Sequence, residues 1–128
     1  MDKINIRQLF DYETCTYTYI LWDSVSKEAL IIDPVLEQTQ RDLDYLNKLS
    51  LKLKYIIETH IHADHITGAW MLKNKCDAKI CCGSKTGVKG ADILFGDGDE
   101  ITVGNYFLRA IHTPGHTEGC TSYYIDGY

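Results

Sequence analysis

Residues 59–65 read THIHADH, and they place three of the five histidines of this 128-residue chain within six positions. Alternate side chains of an extended segment point the same way, so His60 and His62 lie on one side. Asp64 and His65 add a carboxylate and a third imidazole around a tight turn. Four side chains of these types suit zinc, iron or manganese. The stretch therefore predicts a metal site in a loop between a strand and a helix.

The elements around this loop follow from the hydrophobic pattern. Residues 55–57 are a short apolar strand that leads into the loop, and residues 65–73 form a helix for which Asp64 is a suitable N-cap. Leucines at three-residue spacing predict an amphipathic helix over residues 37–50, lying against a sheet. Upstream, alternating residues predict three strands that form an antiparallel meander, at 4–10, 16–22 and 29–32.

The second half of the chain returns to strands, predicted at residues 79–82, 100–103, 106–111 and 121–125. The element order β-β-β-α-β-α-β-β-β-β predicts a mixed sheet with helices on one face, an α+β or α/β arrangement. Asp126-Gly127 is a hairpin dipeptide, yet only Tyr128 follows it. We therefore expect a single domain, residues 1–128, that is truncated.

A second motif lies at residues 113–119, TPGHTEG, after the strand that ends near Ile111. Pro114 and Gly115 fix a tight turn that presents His116 at a strand end, where ligands enter open α/β sheets. Together with the first motif, this placement predicts His116 as a further metal ligand. His112 lies within the strand pattern and is expected to be structural.

Composition and charge exclude several classes of protein. Hydrophobic residues make up 45% of the chain and charged residues 24%, as in folded globular proteins. Thirteen Lys and Arg against 18 Asp and Glu give a net charge of -5, and the basic residues are scattered, so no nucleic-acid partner is expected. Because the sequence has no long apolar run, we expect neither a signal peptide nor a membrane partner.

Cysteine usage favours a cytoplasmic location. The five cysteines are odd in number and form no C-x-x-C pair, which suits a reducing compartment. Cys15 and Cys120 fall on predicted strands and are expected in the core. Cys81 and Cys82 are expected to be buried too, since free cysteine is among the most buried residue types. In the competing interpretation, Cys81, Cys82 or Cys120 accepts sulfur as a persulfide.

Tyrosines are expected mainly as sheet residues and only secondarily as a pocket wall. This expectation covers Tyr17, Tyr19, Tyr123 and Tyr124.

The two histidine motifs together resemble the pair of signatures of the metallo-β-lactamase superfamily. Other segments resemble its persulfide dioxygenase branch, namely residues 10–19 (FDYETCTYTY), 32–35 (IDPV), 62–68 (HADHITG) and 116–120 (HTEGC). The resemblance spans nearly the whole chain but only the first half of the family's length. It implies a layered sheet with flanking helices, the first half of an αββα sandwich.

The resemblance also implies an activity, the oxidation of a glutathione persulfide, or another small thiol-derived substrate, to sulfite at a mononuclear Fe(II) site. Carried over by position, His60 and His116 are iron ligands. His62, Asp64 and His65 form the neighbouring shell, with Asp64 as the catalytic carboxylate. The family's third ligand, an aspartate on a later strand, and its glutathione-binding residues have no counterpart here. We therefore expect this chain alone to bind metal weakly and to be inactive.

Two other interpretations stay open. A glyoxalase II-like thioester hydrolase holds one zinc with His60, His62 and His116 and another with Asp64 and His65, and generates a hydroxide nucleophile. A shortened, non-catalytic module keeps the loop as a structural metal site. In each case, half a sandwich made of one sheet leaves an apolar face uncovered, which predicts a homodimer or a swapped half-fold.

Overall fold

The structure is a computed structural model that describes residues 4–59, 69–83, 91–112 and 121–127. The first sheet is built from β1 (Asn5–Asp11), β2 (Thr16–Trp22), β3 (Glu28–Ile32), β4 (Lys52–Glu58), β5 (Lys79–Gly83) and β6 (Ile93–Phe95). The helical elements are a 3₁₀ turn (Leu36–Gln38), α1 (Thr39–Lys48) and α2 (Ala69–Cys76). The chain continues with β7 (Glu100–Val103), β8 (Tyr106–His112) and β9 (Thr121–Gly127).

The first six strands form one mixed sheet in the order β1-β2-β3-β4-β5-β6. β1, β2 and β3 pair antiparallel, whereas β3, β4, β5 and β6 pair in parallel. Parallel neighbours need a crossover connection, and α1 and α2 supply it between β3 and β4 and between β4 and β5. The antiparallel meander and the helices that separate the parallel strands are confirmed.

A second, antiparallel sheet contains β7, β8 and β9. This corrects the expectation of one sheet. Val103, Leu108 and Ala110 of this sheet are buried together with Leu30 and Ile57 of the first. Because side chains alternate between the faces of a strand, β7 and β8 place their apolar residues on one side. The chain therefore covers part of its own apolar sheet face.

The described part of the chain has three layers, with helices on the outer face of the six-stranded sheet and the three-stranded sheet on its inner face. Leu46 of α1 and Leu72 of α2 are buried against the outer face, together with Ile56 and Ile80. β3 and β4 are covered on both faces, which explains their nearly continuous apolar runs. This is the layered sheet with flanking helices that the sequence predicts. No described helix is long and apolar enough to cross a membrane.

Several element boundaries differ from those expected. β4 begins at Lys52 rather than Tyr55, because buried Leu53 alternates with exposed Lys52 and half-buried Lys54 and extends the strand pattern. α2 continues to Cys76 instead of ending at Lys73. Strand β6 was missed, because three residues are too few to reveal a period.

Two residues lie in a different setting from the one predicted. Cys15 is exposed, because it occupies the turn between β1 and β2 with a left-handed backbone, φ 55°. Asp126 lies within β9 rather than in a turn, and its partner in register is Phe107. The expectations for Cys120 and for Asp64 as an N-cap concern residues outside the described ranges.

Candidate metal centre

The first histidine motif begins where a row of parallel strands ends. β3, β4 and β5 run in the same direction, and their carboxyl ends lie at Ile32, Glu58 and Gly83. Ligands of open α/β sheets bind outside such carboxyl ends. Thr59 is the last described residue before the motif, and the predicted site residues His60, His62, Asp64 and His65 lie outside the described ranges.

Asp33 fixes the start of this motif. Its carboxylate accepts two hydrogen bonds from Thr59, from the backbone N–H to Oδ1 at 2.8 Å and from the hydroxyl to Oδ2 at 2.6 Å. The Asp33 carbonyl accepts the Thr18 hydroxyl at 2.8 Å, and its N–H donates to the Ile57 carbonyl at 2.8 Å. Asp33 therefore joins the ends of β3 and β4 to β2, one residue before His60.

The sequence analysis used Asp33 only as a strand end and as part of the 32–35 segment that carries the family resemblance, and it missed this role. The available signal was an aspartate directly after an apolar run, at the same sheet edge as the histidine motif. Asp33 has φ 54°, a left-handed conformation that aspartate tolerates better than most residues. The residue is buried, so its carboxylate needs the two donors that Thr59 supplies.

The second motif follows a strand that runs toward the same end of the molecule. β8 starts beside the turn after β2, where the Asn105 N–H donates to Asp23 Oδ2 at 2.9 Å. From this contact β8 runs seven residues to His112, and Ala110 near its end is buried in the same cluster as Ile57 near the end of β4. His112 lies on the strand, as expected; His116 lies outside the described ranges.

The two cysteines at the end of β5 are buried thiols with raised pKa values. Burial raises the pKa of the Cys82 thiol to about 12, and the negative charges of Glu58 and Asp33 raise it further. Burial also raises the pKa of Cys81 to about 12, with smaller contributions from Cys82 and Asp92. Both thiols are therefore poor nucleophiles at neutral pH. Their predicted burial is confirmed.

The donor set of the two motifs fits iron or zinc. Within residues 4–59, 69–83, 91–112 and 121–127, no group of three or more His, Cys, Asp or Glu side chains is arranged to hold a metal ion. The predicted ligands His60, His62, Asp64, His65 and His116 lie outside these ranges. Imidazole and carboxylate ligands suit Fe(II) or Zn(II).

A three-layer α/β sandwich with a histidine motif beginning at its strand ends defines a class of protein. The family model for the metallo-beta-lactamase superfamily matches residues 16–128. The chain belongs to this superfamily.

Two more specific similarities follow. Persulfide dioxygenase ETHE1, mitochondrial, of Mus musculus is 42% identical over 121 residues, which are 94% of this chain and 48% of the relative. The crystal structure of ETHE1 from Myxococcus xanthus has a TM-score of 0.89 at 42% identity, and the match covers 94% of this chain and 53% of that chain.

A hydrolase is also similar. The cytoplasmic hydroxyacylglutathione hydrolase of Arabidopsis thaliana is 34% identical over 113 residues, which are 87% of this chain and 43% of the relative. The chain thus spans about half the length of the relatives it matches.

Proposed function

We propose that this chain is the part of a glutathione persulfide dioxygenase that supplies the histidines of its iron site. In this reaction one glutathione persulfide, one dioxygen and one water yield one glutathione and one sulfurous acid. The observation that carries the proposal is the 42% identity to a persulfide dioxygenase over 94% of the chain. The identity to the hydroxyacylglutathione hydrolase is lower, 34% over 87% of the chain.

Each proposed site residue has a role that follows from its chemistry. His60 and His116 hold one Fe(II) ion, while His62, Asp64 and His65 form the neighbouring shell, in which Asp64 is the catalytic carboxylate. The third iron ligand is the family's aspartate on a later strand, which has no counterpart in this chain. Iron held by two imidazoles and that carboxylate would supply electron transfer between the substrate sulfur and dioxygen.

Asp33 contributes by positioning. It holds both polar groups of Thr59 and so fixes the backbone from which His60 departs. Residues that orient a metal ligand in this way contribute to metal affinity although they never touch the ion.

A chimeric enzyme tests the activity. Residues 1–128 replace the corresponding half of the Myxococcus xanthus protein, and sulfite formation is measured with glutathione persulfide under air. We expect activity with bound iron, and loss of both iron and activity in the His60→Ala and His116→Ala variants. The 128-residue chain alone is the matched control and is expected to form no sulfite, because it carries two of the three proposed iron ligands.

A thioester hydrolase is the second candidate, favoured by the similarity to hydroxyacylglutathione hydrolase. In that case His60, His62 and His116 hold one zinc ion and Asp64 and His65 help to hold another. Metal analysis of the chimera separates the two proposals, since one iron supports oxygenation and two zinc ions support hydrolysis. Unfolding of the isolated chain on chelation instead supports the non-catalytic module.

The proposals on partners and location follow from the family resemblance and from the charge and cysteine content of the chain. We propose a glutathione persulfide or a similar small thiol-derived molecule as substrate, no nucleic-acid or membrane partner, and a homodimer or swapped half-fold as the assembly. A cytoplasmic location is proposed from the odd number of cysteines, whereas the persulfide dioxygenase of Mus musculus is named as mitochondrial. Size-exclusion chromatography with light scattering tests the assembly.

A further inference from the structure

Three aromatic side chains at the tip of the β1–β2 hairpin form a surface that the metal centre leaves unexplained. This aromatic cluster consists of Phe10, Tyr12 and Tyr17. The Phe10 ring centroid lies 4.8 Å from that of Tyr12, edge to face, and 4.6 Å from that of Tyr17. Tyr12 is nevertheless 85% exposed and Tyr17 51% exposed. Contiguous apolar rings left in water point to a binding surface.

The aromatic cluster lies at the sheet end where the histidine motif begins. β2 runs antiparallel to β3, so the start of β2 lies beside the carboxyl end of β3. Tyr17 precedes Thr18, whose hydroxyl donates to the Asp33 carbonyl at 2.8 Å. The Asp33 carboxylate in turn holds Thr59. Two hydrogen-bonded contacts therefore connect the strand of the cluster to the residue before His60.

The aromatic cluster also faces the interior side of the sandwich. Tyr19, two residues beyond Tyr17 on the same strand, packs against the buried residues between the two sheets. Because alternate residues of a strand share a face, Tyr17 and its register partner Phe10 lie on that side. This is also the side toward the second sheet, whose strand β8 leads into the second histidine motif.

The hairpin that carries the cluster is held in place by Asp11. This buried carboxylate accepts the Thr14 N–H at 2.9 Å, the Thr14 hydroxyl at 2.6 Å and the Gln38 side-chain amide at 2.9 Å. These bonds tie the turn after β1 to the 3₁₀ turn before α1. A ligand that contacts a fixed hairpin loses less binding energy to the ordering of side chains and loops.

We infer that the aromatic cluster is a specificity-determining wall of the substrate site, and that it contacts the glutathione part of the persulfide. The inference rests on the proposed function and extends it to residues outside the two histidine motifs. The amide groups of the glutathione tripeptide are flat and pack against aromatic faces. Tyr12 is the principal contact, because it is the most exposed of the three rings.

The test measures binding rather than turnover. S-methylglutathione, which cannot be oxidised as a persulfide, is titrated into the full 128-residue chain by two-dimensional NMR, with and without Fe(II) under argon. We expect shifts at the hairpin and a dissociation constant three- to tenfold larger for Tyr12→Ala. Tyr12→Phe is expected to stay within about twofold, because it keeps the ring. Ile6→Ala, which removes an exposed apolar side chain from the other end of β1, is the matched control and is expected to bind as the wild type does.

The outcomes separate this inference from the proposed function. The inference is overturned if the hairpin does not shift, or if Tyr12→Ala and Ile6→Ala bind the probe equally well. It stands, without the dioxygenase proposal, if the hairpin binds the probe and the chimera hydrolyses thioesters instead of forming sulfite. Sulfite formation by a chimera whose KM for the persulfide is unchanged by Tyr12→Ala supports the dioxygenase and contradicts the wall.

Discussion

At each end of the sandwich the carboxylate of a buried aspartate accepts two hydrogen bonds, but the two aspartates have different structural roles. At one end Asp33 accepts two hydrogen bonds from Thr59, within the first sheet. At the other end Asp23 accepts the Val25 N–H at 2.8 Å and the Asn105 N–H at 2.9 Å, the latter from a residue 82 positions away in the chain. Asp33 thus holds Thr59, the residue before the predicted ligand His60, while Asp23 ties one sheet to the other.

The hydrogen bonds that Asp23 accepts lower the pKa of its carboxyl. The N–H groups of Val25 and Asn105 hold the pKa of Asp23 below its ordinary value. Gly104 lies directly against this carboxylate with φ 57°. The difference between the two ends predicts that substitutions near Asp23 act on stability, whereas substitutions near Asp33 act on metal affinity.

The largest effect is expected for Gly104→Ala. A β-carbon at this position would overlap the Asp23 carboxylate, and the left-handed backbone adds strain. We expect the free energy of unfolding to fall by about 3 kcal/mol, measured by urea denaturation.

Gly98→Ala is the matched control. Gly98 also has a positive φ, 88°, but a β-carbon there meets no atom within 4 Å. It should cost about 1 kcal/mol from strain alone. Equal losses for the two variants would show that contact with Asp23 does not hold the sheets together.

The next effect is a loss of metal affinity in Asp33→Asn. Asparagine tolerates the left-handed backbone, but its amide offers one acceptor oxygen where the carboxylate uses two for Thr59. We expect the affinity for Co(II), followed by its visible absorption, to fall about 10- to 100-fold.

Asp23→Asn is the corresponding variant at the other end of the sandwich, and it is expected to affect stability instead of metal binding. It should lower the free energy of unfolding by about 1 to 3 kcal/mol and leave the Co(II) affinity unchanged. A variant set in which Asp23→Asn weakens metal binding as much as Asp33→Asn would remove the distinction between the two ends.

Features that depend on neighbouring residues were predictable from the sequence, whereas the long-range contacts at the two ends of the sandwich were not. Local patterns were sufficient for the antiparallel strands and for α1, since alternation and three-residue leucine spacing are properties of neighbouring residues. The histidine motif predicts a metal site at one end of the sheet from seven consecutive positions alone, and this stays a prediction. The Asp33 contact was not predictable from spacing, as 26 residues separate it from Thr59.

The second sheet was missed for a related reason. Its strands were predicted, but period-two alternation states only that each strand has an apolar face, not which sheet it joins. Assignment depends on long-range contacts such as that between Asp23 and Asn105. Cys15 was placed in the core because its neighbours alternate, and the turn that exposes it is closed by Asp11 and Thr14 rather than by glycine or proline.

Another buried aspartate extends the comparison to the pH dependence of stability. Asp42 of α1 is fully buried and accepts the Arg41 Nε at 3.1 Å. Burial raises the pKa of its carboxyl to about 6, although the Arg41 charge and hydrogen bond oppose the shift. Asp23, bonded by two backbone N–H groups, has the opposite shift.

The raised pKa gives a stability effect with a definite sign. The folded chain holds the Asp42 proton more tightly than the unfolded chain, so this group stabilises the fold below about pH 4 and loses that contribution as the pH rises through about 6. Asp42→Asn should remove about 1 to 2 kcal/mol of pH dependence over this window, measured by urea denaturation. Asp44→Asn, on the exposed side of the same helix, should leave the profile intact; an unchanged profile for Asp42→Asn would contradict the assignment.

The smallest effect is expected from Thr59→Val, which removes one of the two hydrogen bonds that the Asp33 carboxylate accepts from Thr59. The variant loses the hydroxyl at 2.6 Å from Asp33 Oδ2 but keeps the backbone N–H at 2.8 Å from Oδ1. We expect Co(II) affinity to fall about three- to tenfold, less than in Asp33→Asn, since the net value of one hydrogen bond is about 1 kcal/mol. Thr59→Ser keeps the hydroxyl and should bind Co(II) as the wild type does. If Thr59→Ser is as weak as Thr59→Val, the methyl group rather than the hydrogen bond positions the loop, and Asp33 acts through the backbone N–H alone.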